Sequence, residues 1–146
     1  RSKNKDRKGA IEDYNAAIRI SPEEEFVYYL RGVELIKEMR FKDALRDNSK
    51  ALEIKPDYAP AFRNRGIARV NLDDISGGCS DFKSSLSLGD QKTKMLLSEL
   101  EEGGVNVCIG LKKQSMPKEA KQKLKKTTLD CISRSYVISN GKKTCL

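Results

Sequence analysis

Between Glu23 and Met39 the apolar residues fall on two stripes at helical spacing. Tyr28, Gly32, Leu35 and Met39 make one stripe, and Phe26, Tyr29, Leu30, Val33 and Ile36 make the other. A helix that is apolar nearly all round must be covered on both sides. The first stripe is therefore expected in the core. The second is expected to be covered by a partner segment, or from within the protein by an upstream helix or the C-terminal tail. Helical spacing resumes from Phe41 to Ile54 and ends at Pro56, which has no backbone N–H to continue a helix. A short break near Arg40 makes the two helices antiparallel.

The same pattern recurs at a fixed offset. Ala10, Ala44 and Gly78 lie 34 residues apart, as do Asp13, Asp47 and Asp81, and Ala17, Ala51 and Ser85. Ile20, Ile54 and Leu88 keep the same spacing, as do Pro22 and Pro56, Arg31 and Arg65, Gly32 and Gly66, and Tyr28 and Phe62. A period of this length signals a stacked solenoid of helix pairs. The small residues stand where helix axes must approach to the usual ~8–10 Å.

The chain resembles the tetratricopeptide repeat family over residues 1 to about 90. The matching residues are Tyr28, Gly32, Ala44, Ala51 and Pro56 in the middle unit and Phe62, Gly66, Gly78, Phe82 and Ser85 in the last. The first unit supplies only Ala10, Tyr14, Ala17 and Pro22. Arg31 and Arg65 depart from the family's usual Leu, and Gly89 stands where Pro is usual. By the 34-residue register Arg1 falls inside a first helix. The expectation is therefore two full repeats plus the second helix of an earlier one, as a piece of a longer array or with a degenerate first unit.

After Gly89 the repeat stops. Asp90 is a good N-cap, and Gln91 to Glu102 has Leu96, Leu97 and Leu100 on one side, the pattern of a capping helix. Gly103-Gly104 ends it. Residues 1–102 are thus expected to form an all-α helical-repeat solenoid of antiparallel pairs with a capping helix, and residues 103–146 a small basic appendage. Within the appendage, Val105, Val107 and Ile109 alternate like a short strand. Lys118 to about Ser133 has Ala120, Leu124, Thr128 and Cys131 or Ile132 along one helical side. Asn140-Gly141 separates two β-prone runs, a strong hairpin signal. An α+β appendage with a terminal hairpin and a disordered or loosely docked tail both fit this pattern.

Composition narrows the chemistry. The 146 residues include no His and no Trp, which removes Ser-His-Asp and Cys-His catalysis and Cys₂His₂ zinc sites. No catalytic constellation, metal site or cofactor motif is found, so no enzyme activity is expected. Gly77-Gly78 lacks the Lys-Ser or Lys-Thr of a phosphate loop. Glu23, Glu24 and Glu25 suit the first turn of a helix. The four Cys lack any C-x-x-C pair, and reduced thiols are the default expectation. No apolar run approaches the ~20 residues of a membrane span, and no leader pattern is visible.

Charge is segregated, with a net +1 over residues 1–90 and +7 over residues 91–146. Lys112, Lys113, Lys118, Lys121, Lys123, Lys125 and Lys126 cluster in the tail against Glu119 alone. On a helix, Lys118, Lys121 and Lys125 share a face that can meet phosphates. No aromatic alternates with them, so any nucleic-acid or acidic-membrane contact is expected to be weak, and a solvated surface is the simpler account.

The resemblance implies a non-catalytic adaptor that binds a protein or peptide segment on the concave face made by first helices. The residues expected there are Phe26, Tyr29, Leu30, Val33, Ile36, Arg63, Asn64, Ile67 and Val70. The alternative is an anion-binding module built on Lys118, Lys121 and Lys125. One subgroup of the family grips acidic chaperone C-termini through Lys, Asn and Arg. Of those positions only Asn64 is polar here, while Tyr29, Leu30 and Val33 occupy the others, so an acidic chaperone C-terminus is not expected as the partner.

Overall fold

The computed structural model describes residues 3–106, 108, 117–133, 136–139 and 142–145. Its helices are α1 (Lys3–Ile20), α2 (Glu25–Lys37), α3 (Phe41–Ile54), α4 (Ala59–Asn71), α5 (Ile75–Ser87), α6 (Gln91–Glu102) and α7 (Lys118–Ser133). Strands β1 (Tyr136–Ser139) and β2 (Lys142–Cys145) pair antiparallel, with Tyr136 opposite Cys145. The Asn140-Gly141 turn and Lys112 and Lys113 lie outside the described residues.

The helices pair as the 34-residue period requires: α2 packs on α3, α4 on α5, and α3 joins the two units through α4. The small residues make these contacts. A Cβ added at Gly66 would stand 2.8 Å from the Phe82 ring and 3.1 Å from the Gly78 carbonyl oxygen. Ala44, Ala51 and Ser85 are fully buried. Two apolar clusters result. Tyr28, Ala51, Leu52 and Ala61 form the smaller one with Ile18, Ile54, Tyr58 and Phe62 packed beside them. The larger runs from Ile11 and Leu35 through Ile67 and Phe82 to Leu96, Leu100 and Leu124.

Met39 departs from expectation. It is 66% exposed instead of lying in the core. The helix stops at Lys37, and Met39 takes φ 60° in the turn. Asp73, 34 residues on, takes φ 66° in the same place. In both turns the next amide closes back on the helix, Arg40 N–H on the Leu35 carbonyl at 2.8 Å and Asp74 N–H on Arg69 at 2.9 Å. This left-handed helix end carries its residue away from the helical stripe. Helix starts are capped at Asp74, which accepts from Gly77 N–H at 2.9 Å, and at Asp90, which accepts from Thr93 N–H at 3.0 Å.

Beyond α6, Val105 and Asn106 are not in a strand, and Val107 and Ile109 lie outside the described residues. Val105 is instead buried in the larger cluster, its amide bonded to the Leu100 carbonyl at 2.8 Å. The reduced-thiol expectation is also corrected. Cys79 on α5 is bonded to Cys108 across 29 residues, with Cα atoms 5.4 Å apart, and Cys131 on α7 is also disulfide-bonded. Sequence spacing carries no sign of this, because the bond depends on how the segment after α6 folds back over α5.

Candidate functional site: the face of the first helices

Helices α2 and α4 lie side by side, and the face they share carries the second apolar stripe. It divides into two halves. At the start of α2, Phe26 is 52% exposed and Tyr29, Leu30 and Val33 are half-buried. At the other end, Ile36, Ile67 and Val70 are fully buried.

The open half is aromatic and rigidly supported. Phe26 and Tyr29 rings lie 6.1 Å apart, and Tyr58 meets Tyr29 edge-on at 5.5 Å. Such tilted and edge-on pairs satisfy the ring quadrupoles. Burial pushes the Tyr58 hydroxyl up to about 12, with the Tyr29 hydroxyl and the Glu25 carboxylate adding to the rise and Arg63 opposing it. Tyr58 therefore stays a neutral hydrogen-bonding group. Lys55 Nζ sits 5.4 Å from the Tyr58 ring centroid.

Arg63 was expected to face a partner, but its charge is already used. Its Nη1 donates to Asp90 Oδ2 at 2.5 Å, and its Nη2 donates weakly to the Tyr29 hydroxyl at 3.4 Å. Asp90 also accepts from the Thr93 hydroxyl at 2.6 Å and from Ser85 at 3.3 Å. Burial alone raises the Asp90 carboxyl, yet Arg63 and the Thr93 hydroxyl and amide outweigh it and hold it below the usual carboxylate range. Arg63 is 7% exposed and Asn64 1%, so neither projects into solvent. The Asn64 side-chain nitrogen has no hydrogen-bond partner among the described residues. Arg63 thus holds α6 to α4 and supports Tyr29 from below.

The covered half lies under α7, which packs on α2, α4 and α6. Leu124, Thr128 and Cys131 are buried in its contact, with Ala120, Leu129 and Ile132 alongside. Asn71 Nδ2 donates to Thr128 Oγ1 at 3.3 Å. Of the two coverings open at the level of sequence, α7 of the C-terminal tail supplies one, with Leu124 in the same apolar cluster as Ile36 and Ile67, while Val70 packs towards Gly78 on α5. Among the described residues the Phe26 half carries no such cover.

The lysines differ among themselves. Lys118 is exposed and Lys121 half-buried. Lys125 Nζ pairs with Asp73 Oδ1 at 3.0 Å, and this bond holds the Asp73 carboxyl below its usual range. Lys123 donates to the Gly103 carbonyl. Tyr58, Asp73 and Asp90 were not foreseen as parts of this face. Tyr58 sits between Pro56 and Pro60 where the sequence signals only a turn, and its packing on Tyr29 bridges two units. Among the described residues no group of three or more His, Cys, Asp or Glu is arranged to hold a metal, and no helix is long and apolar enough to cross a membrane.

No family model matches the chain. Curated relatives do. The heat shock protein sti1 homolog of Schizosaccharomyces pombe is 31% identical over 97 residues, 66% of this chain and 16% of that protein. The Hsp70-Hsp90 organizing protein of Triticum aestivum is 31% identical over 75 residues, 51% of this chain and 13% of that protein. The chain therefore spans a small part of the relatives it matches. Among solved structures, the TPR2B domain in its pHsp70 complex from yeast Sti1 shares the fold with a TM-score of 0.55 at 17% identity, covering 86% of this chain and 84% of that one. The expectation against a chaperone tail does not stand beside these relatives, whose names and titles carry Hsp70 and Hsp90. The period, the paired helices and these likenesses agree on a solenoid of tetratricopeptide repeats, with full units α2–α3 and α4–α5 and α1 in the place of a preceding second helix.

Proposed function

We propose that the chain is a non-catalytic adaptor module that takes up a segment of a protein partner on its concave first-helix face, at the half formed by Phe26, Tyr29, Leu30 and Val33. The observation that carries the reading is Phe26. It is a large apolar ring, 52% exposed, beside two further aromatics and away from the helix that covers the rest of the face. Aromatic anchors of this kind dominate the energetics of interfaces. With Arg63 committed to Asp90, affinity rests on apolar and aromatic contact rather than on ion pairs. The relatives make Hsp70 the first partner to try.

Calorimetric titration of the intact chain with purified Hsp70 tests this. Wild type should bind with little dependence on salt. The pair Tyr29→Ser and Leu30→Ser should weaken binding about tenfold or more, as loss of anchor residues does, while thermal unfolding keeps its midpoint within a few degrees. Undiminished binding by the variant would move the site off this face, and no binding by wild type would count against Hsp70.

A further inference from the structure

Helix α7 is held on the first-helix face by a thin contact. Of its 16 residues, Leu124 is the one large aliphatic side chain that is fully buried, and Thr128 beside it is polar. Around it are the partly buried Ala120, Leu129 and Ile132, the buried Cys131, the Lys123–Gly103 and Asn71–Thr128 hydrogen bonds, and the Lys125–Asp73 pair, whose side chains are 32% and 61% exposed. A solvent-exposed pair of this kind contributes little. A lone helix of this length is marginal in water. A covalent tie compensates: the Cys79–Cys108 disulfide fastens the segment leading to α7 onto α5. Anchoring that segment raises the effective concentration of α7 at the face.

We propose that α7 is a resident ligand of the first-helix face, occupying the half with Ile36 and Ile67, and that the Cys79–Cys108 disulfide keeps it there until a dithiol reductant releases it. The proposal rests on the reading of this face as the partner site and adds its regulation. The external ligand admitted after release is an amphipathic helix of the same chemistry, with one leucine among small residues and a cation placed to reach Asp73. The chemistry is thiol–disulfide exchange. A thiolate of the dithiol attacks the half-exposed Cys108 Sγ, the Sγ–Sγ bond breaks, and Cys79 leaves as a thiolate that takes up a proton. The second thiol of the reagent then displaces Cys108. The protein gains two thiols, and the dithiol gives up two electrons and two protons to become a disulfide.

Trypsin with mass-spectrometric mapping of the intact chain provides the test, since cleavage of a protected segment follows its open population. Cuts after Lys121, Lys125 and Lys126 report α7, and cuts after Arg65 and Arg69 report unfolding of the repeats. The pair Cys79→Ser and Cys108→Ser, which leaves the Cys131 disulfide in place, should raise cleavage in α7 about tenfold and leave cleavage in α4 unchanged, and dithiothreitol should raise α7 cleavage at least as far. A labelled peptide copying residues 117–133 should bind the Leu124→Asp chain and not the oxidised wild type. Unchanged α7 cleavage on reduction, parallel cleavage of α7 and α4, or four free thiols in the untreated chain would each overturn the proposal. Should Leu124→Asp open α4 to trypsin, the serine pair decides. None of these readouts involves Hsp70, so failure of the partner reading leaves them standing.

Discussion

Arg31 and Arg65 stand where the repeat family usually carries leucine, and the structure gives the reason. Arg31 meets Asp47 with two bonds of 2.7 Å and Arg65 meets Asp81 with bonds of 3.0 and 2.8 Å, each pair 16 residues apart. Asp47 and Asp81 are 4% and 2% exposed, so each needs its cation. Both the Asp period and the Arg period were legible in the sequence. Their pairing was not, because it needs the rotation of α2 against α3. Removing the cation alone should therefore cost more than removing the pair. Arg31→Leu should lose about 2–4 kcal/mol in urea unfolding, and the double variant Arg31→Leu/Asp47→Leu should recover most of it. Equal losses for the single and double variants would mean that Arg31 acts through packing instead. Met39 shows the opposite case. Its helical spacing pointed inward, and a left-handed helix end carried it outward.

At the scale of elements, helix periods and stops were readable because they are local. Gln91–Glu102 forms as its pattern required, and Asp90 caps it. What no local pattern shows is that Asp90 also neutralises Arg63, which is 27 residues away and nearly buried. This gives a pH signature. Asp90 has a lowered carboxyl pKa in the folded state, so its contribution is present above its ordinary value of about 4 and is lost as pH falls through the folded value. At pH 7, Asp90→Asn should cost roughly 2–4 kcal/mol, from a weakened cap and an unpaired buried cation. The gap between wild type and variant should close as pH falls from about 4.5 toward 3. A gap that stays constant over that window would mean the carboxylate does not hold α6. The docking of α7 is also an element-scale fact. Its own buried stripe of Ala120, Leu124, Thr128 and Cys131 was legible, whereas the face that receives it lies some sixty to ninety residues earlier.

For the whole molecule, the arrangement divides one face between two occupants. Helix α7 of the basic tail returns to the part of the face with Ile36 and Ile67, and among the described residues Phe26 and Tyr29 stay clear of it. Net charge of +7 over residues 91–146 told that this region differs from the repeats but not where it docks. The ion pair of Lys125 with Asp73 is one point where that charge meets the repeats directly. The partner reading then turns on where a bound protein touches. A photo-crosslinking residue at Phe26, on the open half, can be compared with one at Arg46 on α3, whose side chain is 79% exposed. With purified Hsp70 and the intact chain, position 26 should form the cross-link and position 46 should not. Cross-links from position 46 with none from position 26 would place the partner on the other side of the solenoid and contradict the assignment of the first-helix face.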